Sequence, residues 1–274
     1  MTASLTGRKS PVKQKRLLVL KTSSFQIQEL FENLNFKDAE ILVVHSSLFS
    51  LGIIEDGLEG FHEQLMRYKS DKTTVIVPTF TWSFRRNQIF DIRNTPADPM
   101  IGVYSEYFRK LPNSFRGDCP QFSFAAIGPE GEEIVTRVSK GCFGIGSVFE
   151  KLFVKNAYTL SIGVSYSRGL TGFVHIEKLA QAPYRVELPL TGLSINKNGE
   201  KFTDSAVHFA INENDFKALK MDRESIGKKM EQKQIVKTVD IGGNQHLLIN
   251  NFDWLDFVSN EMALNPLCMV KSHG

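Results

Sequence analysis

The chain has 274 residues, 42% of them apolar, with 21 phenylalanines and a formal net charge of +3. That length suits one large α/β domain or two small ones, and it buries enough surface to fold without a disulfide or a metal. No run approaches the roughly 20 apolar residues of a membrane span. Leu17–Leu20 is too short for a signal core, and no basic stripe with aromatic platforms marks a nucleic-acid partner.

Residues 1–16 hold Arg8, Lys9, Lys13, Lys15 and Arg16 and read as a basic, disordered tail; residues 17–274 read as a single α/β domain. Ile27, Leu30, Phe31 and Leu34 have helical spacing and predict a helix over Gln26–Leu34. Ala39–Val44 is short and rich in Ile and Val, the pattern of a strand buried on both faces. Leu58–Tyr68 returns to helical spacing, and Thr73–Val77 is a second buried strand that Pro78 stops. This alternation predicts a largely parallel sheet with helices on its faces. Asn87–Met100 is polar and contains prolines, so it reads as a long loop. A helix over Val103–Leu111, a strand over Phe122–Ile127, a helix opening at Ser147–Phe153, a third buried strand over Tyr158–Val164 and a helix over Gly172–Gln181 follow.

The last third changes character. Val186–Leu190 and Gly192–Ile195 read as strands beside a tight turn at Asn198-Gly199, and Ile235–Asp240 pairs with His246–Ile249 across Gly242-Gly243. A charged helix is predicted over Asp215–Met230 and a closing helix over Phe252–Met262. The expected fold is a three-layer α/β/α arrangement around a central, largely parallel or mixed sheet, with a small β-rich C-terminal portion. The three cysteines, Cys119, Cys142 and Cys268, match no zinc spacing and read as reduced thiols of a cytoplasmic protein without a metal.

Ligands of doubly wound sheets sit beyond the carboxyl ends of strands, and three such ends carry suitable residues. His45-Ser46-Ser47 can bind phosphate or amide groups, or simply cap a helix. In Pro78-Thr79-Phe80-Thr81-Trp82 the hydroxyls and extended backbone can pair with a pantetheine arm, or mark a strand exit with a buried aromatic. In Gly172-Phe173-Val174-His175-Ile176-Glu177 a histidine near a helix N-terminus is held neutral, as an amine-deprotonating base must be, with Glu177 to orient it; a satisfied structural histidine is the alternative. Gly144-Ile145-Gly146-Ser147 is either a phosphate-facing turn or a capped helix start.

Taken in order, these segments resemble the aminoglycoside 3-N-acetyltransferase family. The blocks are His45-Ser46-Ser47-Leu48 leading to Leu51-Gly52, Pro78–Thr81, Asp98-Pro99-Met100-Ile101-Gly102, Ser123-Phe124-Ala125-Ala126-Ile127-Gly128, Gly144–Leu152, Leu160–Val164, the His/Glu element and Pro183-Tyr184-Arg185. The resemblance implies direct acetyl transfer from acetyl-coenzyme A to a small-molecule amine. It implies His175 as general base and Glu177 as its orienting acid, with His45, Ser46, Ser47, Thr79, Phe80, Thr81 and Ser123 as coenzyme A contacts. It leaves a homodimer open. Two departures stand out. The family's His-x-x-Glu is here His175-Ile176-Glu177, and a gapless reading puts Val174 at the histidine position. Its Arg-Ser-x-His-Pro is here Arg116-Gly117-Asp118-Cys119-Pro120.

Two other readings are carried. One is a ping-pong acyltransferase with Cys119 as nucleophile and His175 as its base. The other is a homologue that binds coenzyme A or a sugar without turnover. The net positive charge steers a polycation poorly, so the expected acceptor is an amino sugar or its nucleotide-linked form, with Arg85, Arg86 and Arg109 facing either phosphate or solvent.

Overall fold

Alternation along the central strands decides the layers. In the computed structural model, which describes residues 20–212 and 219–272, Ile41 and Val43 of β1 (Ile41–Ser46) pack into one helical layer while Leu42 and Val44 pack into the other. β2 (Thr74–Pro78) divides the same way, Ile76 against Val75 and Val77. A strand covered on both faces reads as an unbroken apolar run, as both segments do. The tail at 1–16 and the first residues of the helix expected over Asp215–Met230 lie outside the described residues.

The other strands of the main sheet and of a separate ribbon are β3 (Phe115–Arg116), β4 (Phe124–Ile127), β5 (Tyr158–Ile162), β6 (Arg185–Ile195), β7 (Lys201–Ile211), β8 (Val236–Ile241) and β9 (Asn244–Asn250). The main sheet has seven strands in the order β8-β9-β5-β1-β2-β4-β3. Pairing is parallel where β1 meets β2 and β5 and antiparallel at the other junctions. The sheet is therefore mixed, with parallel pairing confined to its centre.

Helices α1 (Ser24–Leu34), α2 (Gly57–Tyr68) and α3 (Val103–Arg109) cover one face; Ile27, Leu30, Phe61, Leu65, Tyr104 and Phe108 join Leu42, Val44, Val75 and Val77 in one cluster. Ser23 and Gln26 cap α1 reciprocally, an arrangement worth about 1 kcal/mol. The other face carries α4 (Gly131–Val135), α5 (Val148–Val154), α6 (Gly172–Leu179), α7 (Arg223–Gln232) and α8 (Asn251–Leu264).

The β-rich C-terminal portion divides in two. β8 and β9 complete the main sheet, whereas β6 and β7 form an antiparallel ribbon of 11-residue strands apart from it, extended by Phe90–Asp91. Where the charged helix is expected to be under way, Leu219–Met221 pairs instead with Val270–Ser272, and α7 begins at Arg223 with Asp222 as its cap. Among the described residues no helix is long and apolar enough to cross a membrane.

Candidate active site

The carboxyl ends of β1, β2 and β5 enclose a cleft of about 760 Å³. β1 contributes His45, Ser46 and Ser47; the chain beyond β2 contributes Phe80 and Trp82; the chain beyond β5 contributes Gly163 to Thr171, including Arg168. Two glycines allow these segments to close on one another. At Gly163 (φ +65°) an added Cβ would stand 1.9 Å from Ser50 Oγ, and at Gly102 (φ +107°) it would stand 2.6 Å from the Ser46 carbonyl oxygen. Only glycine tolerates both that backbone and that proximity.

His45 is 7% exposed and forms part of the cleft wall. Burial draws its pKa down to about 4, so the imidazole is neutral at physiological pH. Beside it, Ser46 Oγ is buried without a hydrogen-bond partner, an uncommon state for a buried hydroxyl and one that a ligand can relieve. The Ser47 amide donates to the Ile162 carbonyl at 2.8 Å, which ties the two strand ends together.

Of the expected coenzyme contacts, His45, Ser46, Ser47 and Phe80 line this cleft, and Thr79, Thr81 and Ser123 do not. Ser123 Oγ donates to the Thr79 carbonyl at 2.8 Å, Arg116 Nε donates to Ser123 Oγ at 3.1 Å, and Thr79 Oγ1 lies 3.1 Å from Ser123 Oγ. Thr81 Oγ1 donates to Ser83 Oγ at 3.0 Å. The Thr79 and Ser123 hydroxyls lock the exit of β2 against β4, and that of Thr81 closes on Ser83 within the following loop.

The structure places His175 and Glu177 outside the lining of this cleft. His175 is 1% exposed and does not line the cleft; its ring stacks on Phe153 at 5.0 Å, and its Nδ1 accepts from the Gly144 amide at 3.1 Å. Burial draws its pKa to about 4 as well. Its neighbour Val174 belongs to the same apolar cluster as Phe80 and Phe122. Glu177 is fully buried, and among the described residues no hydrogen bond or ion pair joins it to His175. It forms ion pairs with Arg185 Nε at 2.6 Å and Arg223 Nη2 at 2.9 Å, and accepts from Tyr184 Oη at 3.1 Å. Tyr184 and Arg185 of the Pro-Tyr-Arg block are thus partners of Glu177, whereas Arg223 had no signal in the sequence.

The Gly144–Ser147 turn is a capped helix start: Ser147 Oγ accepts from the Glu150 amide at 3.2 Å, and Glu150 Oε2 already takes the Gly146 amide at 2.7 Å. Cys119 is buried, with its Sγ 3.9 Å from Cys142 Sγ, and among the described residues no hydrogen bond joins it to His175. Arg109 is ion-paired to Glu106 at 2.6 Å. Sequence reasoning missed Phe122, Met100 to Val103 and the loop beyond β5 as cleft walls; the last was open to detection, since it follows the carboxyl end of a central strand.

With this geometry in hand, comparison with known proteins adds the following. The sequence model of the family described as Antibiotic_NAT, aminoglycoside 3-N-acetyltransferase, matches residues 43–263. Aminoglycoside N(3)-acetyltransferase IV of Salmonella sp is 32% identical over 167 residues, 60% of this chain and 62% of that protein, so the match spans under two-thirds of the relative's length. The crystal structure of a variant of aminoglycoside acetyltransferase AAC(3)-IVa in complex with gentamicin superposes with a TM-score of 0.76 at 23% identity, covering 93% of each chain. AAC-IIIb, solved as a binary complex with CoASH, superposes with a TM-score of 0.74 at 17% identity, covering 89% of this chain and 97% of that one. At these identities the two structures speak to the fold.

Proposed function

The chain belongs to the aminoglycoside 3-N-acetyltransferase family, and on that premise we propose that it transfers an acetyl group from acetyl-coenzyme A directly to an amine, in the cleft at the carboxyl ends of β1, β2 and β5. The observation that carries this reading is the pairing, in one cleft, of a neutral imidazole, His45, with an unused hydroxyl, Ser46 Oγ. The walls suit a pantetheine arm, with polar strand ends for its amides and Phe80, Phe122 and Ile101 for its methylenes. The relative AAC-IIIb has been solved with CoASH. Free thiols and a thioester cosubstrate both suit a reducing, cytoplasmic setting.

The acceptor nitrogen adds, as the neutral amine, to the thioester carbonyl carbon. The C–N bond forms, charge develops on oxygen, and the C–S bond breaks as the oxyanion collapses. Addition makes the nitrogen cationic and far more acidic than a free ammonium, so a weakly basic imidazole is sufficient to take its proton. His45 takes it and returns it to the departing coenzyme A sulfur, and the Ser46 hydroxyl serves the oxyanion. His175 and Glu177 are supports, fixing the Gly144 turn and the core beneath the cleft.

The acceptor is an amino sugar of low positive charge. Among the described residues lining the cleft there is no Asp or Glu, and the single charged side chain is Arg168. A polycation such as gentamicin, bound by the relative AAC(3)-IVa, needs carboxylates that this lining does not supply. The test is a panel of acceptors assayed by release of the coenzyme A thiol. Monoamino sugars turn over with higher kcat/KM than kanamycin-like polyamines; activity on polyamines alone overturns the assignment. Val174, which a gapless reading puts at the family's histidine position, favours one other reading, a protein that binds acetyl-coenzyme A without turnover. Calorimetric binding of acetyl-coenzyme A with no product from any amine would select it.

A further inference from the structure

Trp82 and Phe122 border two hollows. These two side chains form the cleft wall on one side, and on the other they line a second depression of about 370 Å³ together with Arg85, Arg86 and His208. Arg85 and Arg86 end a short 3₁₀ turn, Phe84–Arg86, and Phe84 anchors that turn in a small core with Phe90 and Ile92. Arg86 is ion-paired with Asp98 at 3.1 Å, yet its side chain stays 57% exposed. Arg85 has no ion pair among the described residues. The floor is His208, whose ring packs 5.1 Å from Phe122 and whose Nδ1 is buried without a hydrogen-bond partner.

The depression therefore offers one uncompensated guanidinium, a second that keeps donors free beyond its carboxylate, and an idle ring nitrogen beside an aromatic wall. Guanidinium pairs of this kind match phosphate in charge and geometry. We infer that the depression is an anion subsite of the cleft, binding a phosphate carried by the amino-sugar acceptor while the amine reaches past Trp82 and Phe122 toward His45. This rests on the acetyl-transfer reading above and narrows its acceptor to a phosphate-bearing amino sugar. Coenzyme A also carries phosphates, so the test separates the two sources.

The measurement compares kcat/KM for glucosamine 6-phosphate and for a nucleoside-diphosphate amino sugar with that for glucosamine, in the parent protein and in Arg85→Glu. The parent prefers at least one phosphate-bearing acceptor over glucosamine. Arg85→Glu lowers that preference about tenfold or more, the factor expected for one charge-assisted hydrogen bond, and Arg85→Lys restores part of it. A parent without preference overturns the inference, and so does a rise in the KM of acetyl-coenzyme A in place of the acceptor's. Calorimetric titration with the same sugar phosphates reads the subsite without turnover. Binding that Arg85→Glu abolishes upholds the subsite even if acetyl transfer fails, whereas no binding at all sinks it.

Discussion

Replacing Glu177 by glutamine removes one negative charge from beneath two buried cations. The carboxylate is fully buried, 2.6 Å from Arg185 Nε and 2.9 Å from Arg223 Nη2, and those arginine side chains are only 6% and 9% exposed. Tyr184 Oη donates to the same group at 3.1 Å. Breaking a buried pair from one side costs about 3–5 kcal/mol, because the remaining charge is left without compensation. Glutamine keeps the shape and one acceptor oxygen, so the low end, about 3 kcal/mol, applies to Glu177→Gln. At roughly 2–4 °C per kcal/mol for a large domain, the unfolding midpoint falls by about 6–12 °C. Thermal unfolding followed by circular dichroism reads the shift. Arg223→Met in the same chain recovers part of it, because the second buried cation is then gone. A shift below about 2 °C, together with a changed pH profile of kcat/KM, would refute this reasoning and return Glu177 to the role of an acid that orients a catalytic histidine.

Three further outcomes follow from the buried imidazoles. His45→Asn lowers kcat by about 10²–10⁴-fold, the usual contribution of a general base, and changes the KM of acetyl-coenzyme A far less; a loss under threefold removes His45 from the mechanism. His175→Phe keeps the stack on Phe153 and gives up only the bond from the Gly144 amide, so its effect appears in stability and not in the pH profile. Acid is also expected to destabilise the protein. His45, His175, His208 and His246 all have pKa values drawn down to about 4 by burial. The unfolded chain takes up these protons near the ordinary value of 6.5 and the native state does not, so stability is complete above that value and is lost as pH falls toward 4. Each ring costs on the order of 1 kcal/mol per pH unit through that window. Urea unfolding at a series of pH values measures it, and a flat midpoint between pH 6.5 and 5 would contradict the burial argument.

The layers and the central strands were legible because burial leaves a mark in sequence: β1 and β2 are short runs with apolar residues at both parities, β5 alternates Tyr158, Leu160 and Ile162 with buried Thr159 and Ser161, and α1 and α2 keep one apolar stripe. β7 left no such mark. Of its 11 residues only Asp204, Ala206 and Phe209 are buried, at irregular spacing, as befits a ribbon outside the main sheet. α4, with 5 residues, is shorter than the window in which helical periodicity can be read. At the site, the strand-end rule located the cleft, yet residue type alone did not tell which hydroxyls were free. Thr79 and Ser123 satisfy each other because β4 runs antiparallel beside β2 and brings position 123 against position 79, a pairing visible only once the topology is known.

The histidine of α6 shows where a motif stops being informative. One residue along an α-helix turns the side chain by about 100°, so His175 and Val174 address different surroundings although they are neighbours in sequence. What fixes the rotation is Gly172, where an added Cβ would meet the Trp254 ring at 2.7 Å and the Phe153 ring at 3.1 Å. A helix pressed that closely against Trp254 and Phe153 carries residue i+3 onto the same side, and that residue is His175, stacked on Phe153. The rotation that buries this imidazole delivers Val174 to the cluster of Phe80 and Phe122. On the proposed acetyl transfer, the proton acceptor is then His45, at the carboxyl end of β1.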